Sequence, residues 1–404
     1  MPGWHESTTE LREGGELLTA GVALEQHPDR TRLFMQWKQM AWPVLWDPFN
    51  ILDFKVVPVS YVVDPNGVVL VVHPSLDKAE ELERRIRSTS APVVASRTIE
   101  DSTGVFGPEL VDRSDKDLDP AVRSRRAAAL GLWGDDLNES VEEARLVVES
   151  WSDPTALFRL GVTLLMRHDS SQRQPGDFAG AVEAWNRALV ADPDQYIWRR
   201  RLQQYGPRLS KPYPFYDWVP DARSDIRDRG DEPVELTTEP QGSEFADPAD
   251  ESADLPETAS DQRPDARVTE DPGRLIAVDP VVIPPVAPPG HTVRIHLFLK
   301  PNQELDAHWN NEAGFSEAWV DPPEGWLASP EHQHLPPGSG DVSSETRHIE
   351  SEVTIPEDAG SSTVEIPIDL FYYGCEGRSG VCVYRRQQAR VEITVDEAMI
   401  SLPG

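Results

Sequence analysis

Three hydrophobic spacings follow one another along the chain. Leu17-Leu-Thr-Ala-Gly-Val-Ala-Leu24 is a short apolar run of strand length. After His27-Pro28-Asp29, the residues Leu33, Phe34, Trp37 and Met40 fall at helical intervals. Beyond Trp42-Pro-Val-Leu-Trp46, a short helix is predicted around Ile51 to Phe54. Val57-Pro58 then leads into the runs Val59–Val63 and Val68–Val72, and Asp64-Pro-Asn-Gly67 between them predicts a β-hairpin. Leu76, Ala79, Leu82 and Ile86 line one face of a further helix. Residues 1–95 therefore read as an α/β segment.

From 115 to 219 the period is helical. Leu130-Gly131 returns thirty residues later as Leu160-Gly161, which predicts an internal repeat. The polar stretch Arg167 to Gly176 is expected as an insertion between two helices. Residues 220–273 lose the pattern: from 221 to 272 there are 17 acidic and 5 basic residues, with Phe245 the one aromatic. Such a composition buries too little apolar surface to order itself, so a disordered acidic linker is expected.

Over 274–404 the period becomes two. Val293, Ile295, Leu297 and Leu299 alternate with other residues, as do Val364, Ile366, Ile368 and Leu370, and Val391, Ile393 and Val395. With Ile349 to Ile355 these predict an all-β antiparallel sandwich of immunoglobulin-like type. Pro367 predicts an edge or a bulge. The chain as a whole is expected to be multidomain.

Composition narrows the partners. Seventy acidic against 38 basic residues give a formal charge of −32, which disfavours nucleic acid and anionic membrane. No apolar run reaches bilayer length, and the acidic first thirty residues lack the basic start and apolar core of a signal peptide. The chain reads as cytoplasmic, or as extracytoplasmic if a segment precedes Met1.

Redox chemistry has one place to be: the two cysteines, Cys375 and Cys382, in Phe371-Tyr-Tyr-Gly-Cys-Glu-Gly-Arg-Ser-Gly-Val-Cys-Val-Tyr-Arg-Arg386. Aromatic and β-branched residues around a polar, Gly-containing segment place them at the ends of facing strands. A disulfide there closes a short ring worth only about 2–3 kcal/mol, a weak motive for a staple in a chain this large. Arg378, Arg385 and Arg386 would favour a thiolate and Glu376 would oppose it. His332-Gln-His334 offers two metal nitrogens without a third ligand in sight, so no metal is expected. Phosphate-loop, dinucleotide and nucleophile-elbow patterns are absent, and no cofactor is expected. Tyr196-Ile-Trp-Arg-Arg-Arg201 and Tyr213-Pro-Phe-Tyr-Asp-Trp218 read as cation–π packing. His308-Trp-Asn-Asn311 is distinctive and without a role, with Trp309 read as core.

The order strand, helix, strand, helix, Val-Pro, hairpin, helix over residues 1 to 90 resembles the thioredoxin fold of TlpA-like oxidoreductases and redoxins. The stretch Phe54-Lys-Val-Val-Pro-Val-Ser-Tyr-Val-Val-Asp-Pro-Asn-Gly67 carries most of the likeness. The resemblance implies that Val57 and Pro58 form a cis-proline substrate groove. The family's Cys-x-x-Cys is missing. Met1-Pro2-Gly3-Trp4 resembles the middle of the helix that follows it, which implies a gene model shortened at its start; the rival is a degenerate fold kept for binding. Leu160, Gly161, Ala181, Trp185, Ala188 and Pro193 resemble a tetratricopeptide repeat, serving either as a peptide groove or, the favoured reading, as a spacer. Tyr-Tyr-Gly-Cys, a short loop and Gly-Val-Cys in a late hairpin resemble the N-terminal domain of the thiol:disulfide interchange protein DsbD. That resemblance implies that Cys375 and Cys382 exchange electrons with thioredoxin-like partners. The expectation is a thiol–disulfide exchange protein; the alternative is a non-enzymatic scaffold with a structural disulfide.

Overall fold

Parallel strands need a crossover between them, and one follows the short helices Pro2–Ser7 and Thr9–Glu13. In the computed structural model, which describes residues 2–64, 68–72, 84, 108–112, 118–151, 153–206, 216–240, 244, 263–264, 267–314, 316–335, 341–377 and 382–398, β1 (Gly21–Ala23) pairs in parallel with β2 (Val44–Trp46). The helix Pro28–Trp37 joins them, with proline in its first turn and Leu33 fully buried. The strand expected over 17–24 is thus confined to its last residues.

β3 (Tyr61–Val63) and β4 (Val69–Val72) form the expected antiparallel hairpin, and Asp64 Oδ1 accepts from the Val68 amide at 2.9 Å. The helix expected around Ile51 to Phe54 is a turn instead. Asp47 accepts from the Ile51 amide, Asn50 brackets the amide and carbonyl of Phe54, and Asn50 and Asp53 take left-handed φ values of 50° and 54°. Asx side chains here outcompete helical backbone bonds. The turn residues Pro65–Gly67 and, apart from Arg84, the helix expected at Leu76–Ile86 lie outside the described residues.

Four helices follow: Pro120–Trp133, Leu137–Ser150, Pro154–His168 and Asp177–Ala191. Asp119, Asp136 and Asp153 cap the first three by accepting backbone amides of the opening turn. A β-carbon on Gly161 would stand 2.3 Å from Trp185 Nε1, so only glycine lets these two helices approach so closely. Trp185 is fully buried and donates to the Phe158 carbonyl at 3.0 Å. The polar insertion is held by Arg167, whose guanidinium clamps the buried Asp177 carboxylate.

The predicted linker departs from expectation at its start. Residues Trp218–Asp228 form a helix that buries Val219, Ala222 and Ile226, an apolar stripe set within acidic sequence. Trp218 stacks on Trp37 at 5.8 Å, and Trp37 Nε1 donates to Asp225 at 2.7 Å. By contact density, residues 1–200 and 218–239 make one unit, and 201–217 with 240–404 make a second.

The second unit is built from two sheets. β5 (Ile276–Ile283), β7 (Thr292–Pro301), β13 (Arg347–Thr354) and β10 (Leu327–Ser329) make an antiparallel four-stranded sheet in the order β10-β13-β7-β5. The larger sheet has β11 (His332–His334), β9 (Glu317–Val320), β14 (Ser362–Glu376), β15 (Cys382–Val395) and β6 (Val286–Ala287) in that order, with β8 (Ala307–Asn310) also on β14 and β12 (Val342–Ser343) on β8. Val293, Ile295, Leu297 and Leu299 of one sheet share a core with Ile366, Ile368, Leu370 and Ile393 of the other. Trp309 belongs to it and is fully buried. Pro367 pairs with Arg390 of β15 and lies just past the β9 ladder, which begins at Ile368, so its missing N–H costs no bond on that side.

Candidate functional site

The long β14–β15 ladder runs from Ser362↔Val395 to Cys375↔Cys382, so the cysteines face each other at its open end. They are joined as a disulfide, with Cα atoms 4.0 Å apart. Their environments differ: Cys375 is 1% exposed, whereas Cys382 is exposed. The Cys382 end of the bond is thus the one open to solvent.

Successive strand residues alternate faces, and the register defines what shares the face of the disulfide. Tyr373 and Tyr384 are the next pair inward, their rings 4.4 Å apart. Burial, with the Glu317 carboxylate nearby, pushes the Tyr384 phenol up, so it stays neutral. On the other flank of β14, β8 sets His308 directly opposite Cys375. Opposed residues of antiparallel strands hold their β-carbons about 4.5–5.5 Å apart, so an imidazole borders the buried cysteine. His308 Nδ1 donates to the Asp306 carbonyl at 3.1 Å, and the same carbonyl accepts from the Gly377 amide. That bond fixes the orientation of the ring.

The arginines expected to favour a thiolate are placed otherwise. Arg386 lies two pairs inward on the disulfide face and is tied to Asp369 at 2.8 and 3.0 Å. Arg385 falls on the opposite face, and Arg378 lies outside the described residues. Glu376 is neutralised by a two-pronged Arg274 pair at 2.7 and 2.8 Å. His308, with no role read from sequence, is therefore the ionisable group that the ladder sets against the sulfur; its register with Cys375 is written in no local spacing. A cleft of about 570 Å³, lined by Asp271, Arg274, Glu376, Val383 and Arg385, flanks the same hairpin end. Val383 and Arg385 alternate with Cys382 and Tyr384, so the cleft meets the face away from the disulfide.

Val57 and Pro58 belong to the other unit. The Val57–Pro58 peptide is cis, and Val57 is half exposed. The structure supplies the third ligand that His332 and His334 lacked in sequence. Antiparallel pairing sets His334 opposite Glu317 and His332 opposite Trp319, and Glu317 Oε2 lies 2.8 Å from His332 Nε2. The three side chains can offer donor atoms that all lie within 4.8 Å of one another, which corrects the reading of an incomplete pair.

No helix among the described residues is long and apolar enough to cross a membrane. No known family matches the chain, and no curated protein is similar to it. Among solved structures, 34% of the chain is similar to 39% of a protein from Corynebacterium diphtheriae described as membrane anchored, at 11% identity and a TM-score of 0.21. Another 34% match covers 98% of AvmM, which catalyzes macrocyclization in alchivemycin A biosynthesis, at 13% identity and a TM-score of 0.20. A third covers 30% of the chain and 49% of a sporulation control protein from Bacillus subtilis, at 11% identity and a TM-score of 0.14. The chain thus spans well under half of the first of these proteins, and likenesses this distant carry no argument about fold or activity.

Proposed function

We propose that the chain is a thiol–disulfide exchange protein whose working pair is Cys375 and Cys382. The observation that carries this reading is the asymmetry at the hairpin end: one cysteine exposed, its partner buried, and His308 opposite the buried one. A partner thiolate attacks Cys382 Sγ, a mixed disulfide forms, and Cys375 leaves as a thiolate that takes a proton from imidazolium His308. The partner's second thiolate then attacks its own sulfur in the mixed disulfide and releases Cys382. Two electrons have passed to the pair, and the partner is left as a disulfide.

The partner that fits is a dithiol protein of the thioredoxin class. The β1–helix–β2 unit followed by the β3–β4 hairpin supports reading residues 1–95 as thioredoxin-like. The four helices that follow, with Gly161 seated on Trp185, support a tetratricopeptide-like reading, and the two-sheet core supports an immunoglobulin-like one.

Two measurements test the proposal. In Cys375→Ser, Cys382 is first converted to its mixed disulfide with thionitrobenzoate; a reduced thioredoxin whose second cysteine is changed to serine should then displace the thionitrobenzoate and remain trapped on Cys382. A redox titration should place the pair near the thioredoxin range of about −270 mV. A potential well below about −300 mV, with no trapped species, makes the bond a staple and leaves the scaffold reading standing.

A further inference from the structure

A second cluster lies on the four-stranded sheet, on the face turned away from the shared core. Arg294, His296 and Phe298 of β7 alternate with the core residues Val293, Ile295, Leu297 and Leu299, and they pair with Glu352, Glu350 and His348 of β13. Arg294, His296, Phe298 and Glu350 are buried, His296 fully so, while His348 and Glu352 are partly exposed.

Three donor atoms converge there. His296 Nδ1 lies 3.0 Å from His348 Nε2 and 3.3 Å from Glu350 Oε1, and His348 Nε2 lies 3.6 Å from the same oxygen. Ligands about 2.0–2.1 Å from a tetrahedral zinc stand about 3.3 Å apart, so the triangle has the edges of one face of such a site. The atoms around it hold the donors in place. His296 Nε2 donates to the Tyr205 carbonyl at 2.7 Å, which holds the ring with Nδ1 facing the cluster. Arg294 grips Oε2 of Glu350 and reaches Glu352 with its other amine, which fixes Oε1 toward the imidazoles. Phe298 stacks on both rings, at 4.3 Å from His348 and 6.3 Å from His296. Across the 3.0 Å contact one ring nitrogen donates to the other, and a metal entering the cluster displaces that proton. Glu350 and Glu352 against Arg294 leave one negative charge for that metal to meet.

We infer that His296, His348 and Glu350 form a binding site for a divalent transition metal, zinc foremost, entered from the His348 side. Two imidazoles and one carboxylate suit zinc, cobalt and nickel better than calcium or magnesium. His348 has 19% of its side chain exposed against 0% and 5% for its partners, so solvent or a fourth ligand approaches past it. The inference does not depend on the thiol chemistry proposed above.

The test uses the untagged full chain with its disulfide intact, so that free thiols cannot take the metal. After chelation, zinc is titrated in competition with a chromophoric chelator, and cobalt is followed by its visible absorption. One equivalent should bind. His348→Ala and Glu350→Gln, checked for folding by circular dichroism, should each weaken binding by more than about 100-fold, beyond what loss of an outer-shell partner costs; His332→Ala should leave it unchanged. Absence of stoichiometric zinc binding overturns the inference. So does binding that survives His348→Ala but is lost in His332→Ala, which assigns the metal to Glu317, His332 and His334. So does nitrogen NMR showing His296 protonated on both ring nitrogens in the zinc-treated chain, which makes a proton the occupant.

Discussion

His308 stands directly opposite Cys375 across the β8–β14 ladder, while Cys382 faces the same cysteine across β15. The middle strand therefore holds the buried sulfur between an imidazole and an exposed sulfur. Replacing His308 with alanine should slow reduction of the disulfide without breaking a core contact, because the residue is half-buried and its bond goes to a backbone carbonyl two residues away. A thiol of lower pKa leaves faster, so loss of the imidazole's stabilisation of the Cys375 thiolate slows the exchange. Stopped-flow reduction by dithiothreitol measures it; identical rates in both proteins would remove His308 from the chemistry.

Gly161 lets the helices Pro154–His168 and Asp177–Ala191 approach closely. Gly161→Ala puts a methyl group 2.3 Å from Trp185 Nε1, and the indole is fully buried and bonded to the Phe158 carbonyl. Overpacking of this kind costs about 1–3 kcal/mol or more, against the helix-propensity gain of about 1 kcal/mol. Gly180→Ala, whose new β-carbon meets only the end of Leu164 at 3.3 Å, is the control and should be neutral to stabilising in urea denaturation.

Arg167 and Asp177 form an ion pair whose side chains are 4% and 1% exposed. Arg167→Met strands a buried carboxylate and should destabilise by about 3–5 kcal/mol. The double variant Arg167→Met, Asp177→Leu should recover much of that loss, because the desolvation cost of both charges disappears together. A double variant no more stable than the single one would mean that the Asp177 carboxylate matters chiefly for the Gln174 amide it accepts.

Asp369 contributes to the acid limb of stability in the second unit. Burial by itself would raise its pKa, but hydrogen bonds from Arg386 and Arg263 outweigh it and hold the carboxyl below its ordinary value. A carboxylate with a depressed folded pKa stabilises fully above its unfolded value of about 3.9. That contribution is lost as pH falls through the unfolded value toward the folded one. Melting temperature recorded from pH 7 to pH 2.5 should fall more steeply in the wild type than in Asp369→Asn, with the variant less stable at neutral pH. Parallel curves would show that Asp369 does not carry the acid sensitivity.

Much of the second unit is legible from period-two spacing, because a strand buried on one face must place Val293, Ile295, Leu297 and Leu299 on alternate positions. The helices from Pro120 to Ala191 are legible for a similar reason: aspartate caps, apolar stripes and a glycine under a tryptophan are local demands. The helix Trp218–Asp228 was hidden because charge counting averages over a window, whereas Val219, Ala222 and Ile226 need only one stripe. The turn at Asn50 to Phe54 was hidden because side-chain competition for backbone bonds leaves no periodic trace.

By itself, then, the chain's order of residues determined most of the helices and strands and that the sulfurs close the end of one hairpin, since both follow from neighbours a few positions apart. Only the tertiary structure decided that His308 flanks Cys375, that Glu317 joins His332, and that His296, His348 and Glu350 meet. Each of those meetings is a strand register between distant segments. Register is set by how whole faces pack into a shared core, a property that no short window of sequence contains.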